Sequence, residues 1–300
     1  MRTIAPSACG SYPPGFPPTG RREALVNRLL ALLCPCLLCA GCDALPGFDD
    51  PEIALSPRYY ALELEGEARM QSVVNGRIVN NPPQGVEEFG QKDRDDDVGG
   101  QIAIGDGFSG IEFDYMKVEI DDSALGVLTA DFGAVPAGTL VQSRFDLEEF
   151  RVGYTAELFA HELSVTEAEP LLVRLGAGAA LAHREGDLTL ESDTDPDLVE
   201  AIEFKDNGLL FATARARLEY VGAALQFDWG YHPDFDFGGE FQGEMHDVEI
   251  TASYTLEAQD VTFLVGYRYS QLPATGSSRG LRYDTDFELE GWMLGFTFRF

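Results

Sequence analysis

The feature that most constrains the fold of this chain is an alternation of apolar and other residues, clearest in its last ten residues, GWMLGFTFRF. Successive side chains of a β-strand point to opposite faces, so one face of this segment carries only large apolar groups. These residues are Trp292, Leu294, Phe296, Phe298 and Phe300. Such a face is buried either in a protein core or against lipid.

Nine segments upstream show the same period of two, which is typical of half-buried strands rather than helices. They are residues 60–68, 98–104, 111–120, 150–158, 171–181, 210–220, 225–231, 248–256 and 261–269. In the third of these segments the apolar parity changes at Met116, which indicates either a β-bulge or the end of a membrane zone. The pattern predicts an all-β fold of about ten strands, with eight and twelve strands also open.

The connections between these segments alternate in length. Short turns at 106–109, 221–222 and 257–260 separate long connections, of which 71–97 and 121–144 are examples, and 271–283 is also expected to be long. Barrels that cross a bilayer have this asymmetry, with tight turns in the periplasm and long loops outside. The sequence therefore predicts a transmembrane antiparallel up-and-down β-barrel.

A soluble β-sandwich or lipocalin-like barrel would also alternate, but it explains less well the aromatic residues at the segment ends. In a membrane barrel these residues form girdles at the two interfaces. They are Tyr60, Tyr220, Tyr231, Tyr254, Tyr267, Tyr269, Trp229 and Trp292. The opposite face then becomes a charged lumen. Its predicted network is Glu63, Glu65, Glu112, Asp114, Arg151, Glu157, Arg174, Arg215, Arg217, Asp228, Glu249 and Arg268.

The N-terminal region predicts export. All five cysteines lie within the first 42 residues, where arginines precede an apolar run that small residues close, as in a secretory signal peptide. The end of this run, LCAGC, resembles a bacterial lipobox, in which Cys42 would be lipidated, although Cys39 takes the usual leucine position. We expect a Pro/Gly-rich extension plus signal peptide over 1–42, a linker over 43–57 and the barrel over 58–300.

Charge limits the partners. The chain has 51 acidic and 21 basic residues and a formal net charge of -30, which argues against binding nucleic acid. Acidic runs at 93–97, 193–197 and 234–237 fall in predicted outer loops, and none has the spacing of an EF-hand. The sequence therefore predicts acidic extracellular loops and indicates neither a metal site nor a cofactor.

Histidines near carboxylates leave an enzymatic alternative open, because a His–carboxylate pair can act as a general base. The candidates at predicted outer strand ends are His183, His232 and His246, with Asp234, Asp236 and Asp247 nearby. No motif of a known barrel enzyme is reproduced, so the sequence assigns no catalytic residue. The alternative is an outer-membrane protease or lipid A-modifying hydrolase.

Residues 59–300 resemble a small bacterial outer-membrane β-barrel protein, and WMLGFTFRF resembles the C-terminal signal that the barrel-assembly machinery reads in that class. The resemblance implies a Gram-negative outer-membrane location, porin-like architecture, and contact with outer-membrane lipid, lipopolysaccharide and the assembly machinery. We expect a non-enzymatic structural or surface-interaction protein, with a narrow channel as its closest variant. A soluble periplasmic or lipid-anchored β-barrel binding protein is the remaining alternative.

Overall fold

The computed structural model describes residues 48, 51–91, 95–164, 170–206, 208–234 and 239–300. The N-terminal extension, the signal peptide and Cys42 lie outside these residues. No helix among the described residues is long and apolar enough to cross a membrane, a finding that does not bear on β-strands.

Alternating residues form fourteen strands in the described part of the chain. The first seven are β1 (Glu52–Met70), β2 (Ser72–Val74), β3 (Arg77–Val79), β4 (Gln84–Gly85), β5 (Asp95–Gly105), β6 (Gly110–Val127) and β7 (Leu140–Ser164). The others are β8 (Pro170–Ser192), β9 (Val199–Lys205), β10 (Leu209–Tyr220), β11 (Ala223–His232), β12 (Met245–Leu256), β13 (Val261–Ser278) and β14 (Leu281–Arg299). Two short 3-10 helices span Val86–Glu88 and Glu257–Gln259.

Ten of these strands close an antiparallel ring in the order β1, β5, β6, β7, β8, β10, β11, β12, β13 and β14. Strand β9 continues the line of β10, because both pair with β8. The ring closes between β14 and β1, where Ile53 and Phe300 exchange backbone hydrogen bonds of 3.3 and 3.0 Å below the last strand pair. The predicted all-β barrel of about ten strands is confirmed.

The connections at the two ends of the barrel differ in length as predicted, with one exception. Short turns at 106–109, 221–222 and 257–260 lie at one end, which is the periplasmic end in the predicted topology. The expectation of a long connection over 271–283 was wrong, because β13 and β14 continue upward and meet in a turn at Arg279 and Gly280. Both turn residues have positive φ, as in the tight hairpin turns that match strand twist.

The barrel wall reverses its polarity halfway up. In the part nearer the short turns, here called the membrane half, outward side chains are apolar and inward ones are largely charged. In the part beyond it, the outer half, outward side chains are mostly charged and inward ones are apolar. The first polar outward residues above the boundary include Glu63, Lys117, Glu148, His183 and Glu290.

Strand β1 corrects the sequence prediction, which placed Tyr60 outside and Glu63 and Glu65 in the lumen. Tyr60 is buried inside the barrel with the other even residues of β1, while Glu63 is half-buried and Glu65 exposed on the outer wall. Most of this segment lies in the outer half, where the wall faces water and the interior is apolar. The apolar face is therefore the inner face there, and the prediction inverted it.

Strand β6 shows the same reversal without any break in the sheet. Its pairing with β7 is continuous through Met116, so the apparent parity change is the end of the membrane zone rather than a bulge. Tyr115 is the last exposed apolar residue on the outer face below the boundary, and Val118 and Ile120 above it are buried inside. Register shifts occur elsewhere, between Asp122 and Gly126 and in β7 between Glu157 and Phe159.

Candidate functional site

An apolar belt surrounds the membrane half. Val265, Leu294 and Phe296 are exposed on it, as are many similar residues on the other strands of the ring. Aromatic pairs mark its upper border, where Tyr267 packs edge-on against Trp292 at 5.5 Å and Trp229 stacks on Tyr231 at 6.0 Å between ring centroids. A soluble barrel would leave this belt in water, so the belt favours a bilayer around it.

Inside the membrane half, ion pairs join strands across the lumen. Arg215 reaches both Glu112 and Asp228 at 2.5 Å, and Arg174 reaches Glu157 at 2.5 Å. Each of these residues belongs to the charge network predicted from the sequence. Charged hydrogen bonds of this kind are strong in a low-dielectric interior. The Arg215–Glu112 pair joins the non-adjacent strands β10 and β6, whereas the other two pairs join neighbouring strands.

Other predicted network residues also face the lumen. Arg217 lies 3.0 Å from Glu219 and donates a 2.8 Å hydrogen bond to the carbonyl of Gly107. Glu249 accepts a hydrogen bond of 3.2 Å from Arg58, a residue that does not belong to the predicted network. Asp114 lines the same space among these charges.

The centre of the network was also missed. Arg184 is fully buried and contacts Glu149 at 2.5 Å and Asp247 at 3.0 Å. Glu149 also pairs with Arg268 at 2.7 Å, and Asp247 pairs with Arg151 at 2.8 Å. Glu149 and Asp247 each lie two residues from a predicted lumen position, so continuing the alternation beyond the assigned segments would have found both.

The outer half is closed by an apolar core. Phe145 packs against Phe287 and Phe204 with ring centroids 5.9 and 6.1 Å apart. Further buried residues of this core are Leu62, Leu64, Val118, Ile120, Leu147, Leu188, Leu190, Ile202 and Leu289. Two small cavities of about 90 and 110 Å³ lie in the charged lumen below. The buried side chains of this core occupy the interior of the outer half.

The outer wall of the outer half carries a ladder of like charges across β1 and β14. The pairs directly opposite one another are Glu63–Glu290, Glu65–Glu288 and Glu67–Asp286, and these six residues are here called the acidic ladder. Lost hydration together with repulsion from neighbouring carboxylates raises the pKa of Glu65. Carboxylate oxygens of Glu63, Glu65 and Glu290 lie within 4.8 Å of one another.

The histidines do not assemble a catalytic group in the described part of the chain. His232 is buried and its Nδ1 bonds to the carbonyl of Leu210 at 2.9 Å, while His246 stacks against Trp229 in the girdle. His183 contacts Asp206 and Glu185, and the hydrogen bond to Asp206 is the main cause of its raised pKa. Asp247 binds arginines, Asp234 accepts a bond from the Gly243 amide, and Asp236 lies outside the described residues.

The C-terminal stripe forms part of the belt. Trp292, Leu294 and Phe296 are exposed on the outer wall, Phe298 is half-buried, and Phe300 is exposed below the end of β14. An apolar belt, aromatic girdles and a charged lumen in a closed antiparallel barrel are the features of outer-membrane barrels. The chain therefore has the fold of a transmembrane antiparallel β-barrel.

No protein-family model and no curated protein matches the chain. Among solved structures it is similar to Ail, the attachment invasion locus protein of Yersinia pestis, with 11% identity and a TM-score of 0.29 over 83% of this chain and 99% of that one. It is also similar to a Pseudomonas aeruginosa FadL homologue, with 9% identity and a TM-score of 0.31 over 84% and 91% of the two chains. The Pseudomonas putida toluene transporter TodX is also similar, with 9% identity and a TM-score of 0.27 over 86% of this chain and 93% of that one. Sequence identities and TM-scores this low do not support an inference about function.

Proposed function

We propose that the chain is a non-enzymatic surface protein of the bacterial outer membrane, in which a sealed barrel holds the acidic ladder above the lipid. The observation that carries this proposal is the apolar core of the outer half, where Phe145, Phe204 and Phe287 fill the space that a channel needs. Outer-membrane lipid and lipopolysaccharide surround the belt. The role is structural or one of surface interaction.

Conductance separates this proposal from a narrow channel. Because the outer half is packed with side chains, purified folded protein in a planar bilayer should give no stable conductance steps. The two small cavities lie in the charged lumen below the apolar core. Reproducible single-channel steps, insensitive to removal of contaminating porins, would contradict a sealed barrel.

The interaction surface is tested by charge. A wall of paired carboxylates attracts cationic groups, and salt weakens the attraction because these charges are exposed. We expect a hexalysine peptide to bind folded protein in vesicles several-fold more weakly after Glu65→Gln, Glu288→Gln and Glu290→Gln are combined, an order-of-magnitude expectation from loss of three charges on the outer wall. The matched control neutralises Glu119, Asp146 and Glu148, acidic residues of the outer wall on β6 and β7. Equal weakening by the control would remove the ladder as the binding surface.

A second part of the proposal concerns Trp292, Leu294, Phe296, Phe298 and Phe300 as an assembly signal. Phe300 contributes little to the belt, yet its backbone pairs with Ile53 where the ring closes. Closing the ring removes the free edges of β1 and β14, so the machinery that guides closure has reason to read this end.

Deletion of Phe300 should therefore lower the folded, heat-modifiable protein in outer membranes several-fold, an estimate from edge closure. Refolding of the same variant into detergent should stay near wild type, because the belt is almost unchanged. Heat modifiability on gels measures both. Normal assembly of the deletion variant in cells would show that Phe300 is only part of the wall.

A further inference from the structure

Staggered strands leave free edges at both ends of a barrel, and at the outer end loops cover them. Strand β13 continues beyond its pairing with β12, and there the Pro273 carbonyl accepts a 3.2 Å hydrogen bond from the backbone amide of Gln242. It also donates from the Thr275 amide to the Glu240 carbonyl at 2.8 Å. The free edge of β13 is thus occupied by backbone of the β11–β12 connection.

Side chains cover the other outer edges. The hydroxyl of Tyr283 donates to the Glu203 carbonyl on β9 at 2.6 Å, and the Glu119 amide of β6 donates to Asp97 at 3.1 Å. On β1, the amide of Asn81 donates to the Met70 carbonyl at 2.7 Å, and β4 pairs with the strand just below. The fold thus protects its edges at the end that faces the medium.

Strand β7 differs at the periplasmic end. Its last pair with β6 joins Thr155 to Gly110, but β7 continues over 156–164 paired only with β8. On the free side, the Glu157 amide donates to the hydroxyl of Ser109 at 3.0 Å. Within the described part of the chain, no other group bonds to this side of 156–164, which is here called the β7 edge.

Three large apolar side chains of the β7 edge are exposed. Leu158 is 72% exposed, Phe159 50% and Leu163 44%. In the described pairing, Leu158 has no partner on β8, because the register shifts between Glu157 and Phe159. Leu158 and Phe159 therefore lie side by side at the start of the free stretch. Large apolar side chains beside unpaired backbone groups are a template for another strand.

The register places the β7 edge at the periplasmic end of the barrel. Leu163 lies opposite Leu171 on β8, whose next residue, Leu172, lies opposite Glu219, beside the periplasmic girdle residue Tyr220. The lower end of the β7 edge is therefore level with the periplasmic girdle, where residues 158–164 are exposed. A strand laid beside the β7 edge would pair with its free backbone groups and cover its exposed apolar side chains.

We propose that the β7 edge is a strand-addition site for an extended segment of a periplasmic protein, with apolar residues at alternate positions. A second copy of this chain fits less well. Two copies in one membrane would be related by a rotation axis along the membrane normal. Their two β7 strands would then run parallel to each other, with the same edge of each strand facing the other. A segment entering from the periplasm can run antiparallel to β7, which is the better-aligned hydrogen-bond pattern.

Amide hydrogen exchange of the full-length folded protein tests the proposal in three preparations: detergent micelles, vesicles of phosphatidylethanolamine and phosphatidylglycerol, and outer-membrane vesicles from producing cells. Residues 172–180 of β8, paired on both sides, are the internal reference. We expect the free-side amides of 156–164 to exchange fast in micelles and lipid vesicles, and about tenfold more slowly in outer-membrane vesicles.

Two results would overturn the proposal. Fast exchange in outer-membrane vesicles would mean that no partner strand is added. Slow exchange already in pure lipid vesicles would mean that lipid or a second copy covers the edge.

A matched pair of variants adds specificity. Phe159→Asn should abolish the slowing in outer-membrane vesicles, whereas Phe263→Asn, at a belt position that is 53% exposed, should preserve it. Both variants must remain heat-modifiable, which separates loss of the partner from loss of the fold. Slowing that persists in Phe159→Asn, or is lost equally in both variants, would also overturn the proposal.

Discussion

The lower part of β14 presents Trp292 and Leu294 to lipid, whereas the upper part of the same face presents Glu290 and Glu288 to water. On the inner face the order is opposite, since Phe287 belongs to an apolar core above the charged lumen. The strand is continuous and its alternation never slips. The solvent outside the wall therefore decides which face is apolar.

The two halves are stabilised differently. In the outer half, burial of apolar side chains away from water supplies the stability, as in a soluble protein. In the membrane half, lipid covers the apolar face, so the interior is free to hold charges that pair across the lumen. Arg184 lies where the two interiors meet, in contact with Glu149 and Asp247 of the network.

The largest effect is expected for Arg184→Ala. Removing this guanidinium leaves Glu149 and Asp247 buried with fewer counter-charges, which should lower the free energy of unfolding by about 3 to 5 kcal/mol. Arg144→Ala is the control, because its ion pairs are exposed and should contribute little to stability. Guanidinium titration of protein in vesicles measures both, and equal losses would contradict a buried ionic centre.

An intermediate effect is expected from a cation placed on the outer wall at two heights. Val265→Arg puts the charge in the belt, where a cation costs on the order of 2 to 4 kcal/mol in barrel hosts. Asp286→Arg puts it on the acidic ladder opposite Glu67, where it should be neutral or slightly stabilising. Heat-modifiable protein in outer membranes reports both. Normal assembly of Val265→Arg would mean that the inside and outside are reversed.

The smallest effect concerns the ladder itself. A raised folded-state pKa means that folding disfavours ionised Glu65, so the cost is present above this pKa and disappears as the pH falls through it. Glu65→Gln should therefore stabilise the protein at pH 7, by less than about 1 kcal/mol, and have no effect at low pH. Glu119→Gln should do the opposite at pH 7, because Glu119 pairs with Lys117 and Arg144. Unfolding titrations at pH 7 and at low pH measure both effects. If Glu65→Gln still stabilised the protein at low pH, repulsion between the carboxylates would not be the cause.

Alternation and turn lengths were enough to predict the ring of strands and most of the lumen network. Arg151, Arg174, Arg215 and Arg268 lie in assigned segments within the membrane half, where the outer face is the apolar one. The prediction assumed that the outer face is apolar along the whole length of every strand. The outer face is apolar only as far as the belt extends.

The errors follow from that assumption. Glu63 and Glu65 were assigned to the lumen because apolar residues flank them, yet those neighbours point into the core of the outer half. Arg184 and Glu149 were left out because they lie at the boundary, beyond the segments that looked like membrane strands. A single sequence carries the alternation but not the height of each residue relative to the lipid.

Cysteine labelling tests the reversal of the wall most directly. The natural cysteines all lie in the first 42 residues, so the barrel without substitutions gives the background. With a membrane-impermeant maleimide on intact cells, Glu288→Cys should react rapidly, Leu294→Cys on the same face should be shielded by lipid, and Phe287→Cys should react only after unfolding. Rapid labelling of Phe287→Cys together with protection of Glu288→Cys would mean a water-filled outer half inside a lipid-covered wall, and would contradict the account.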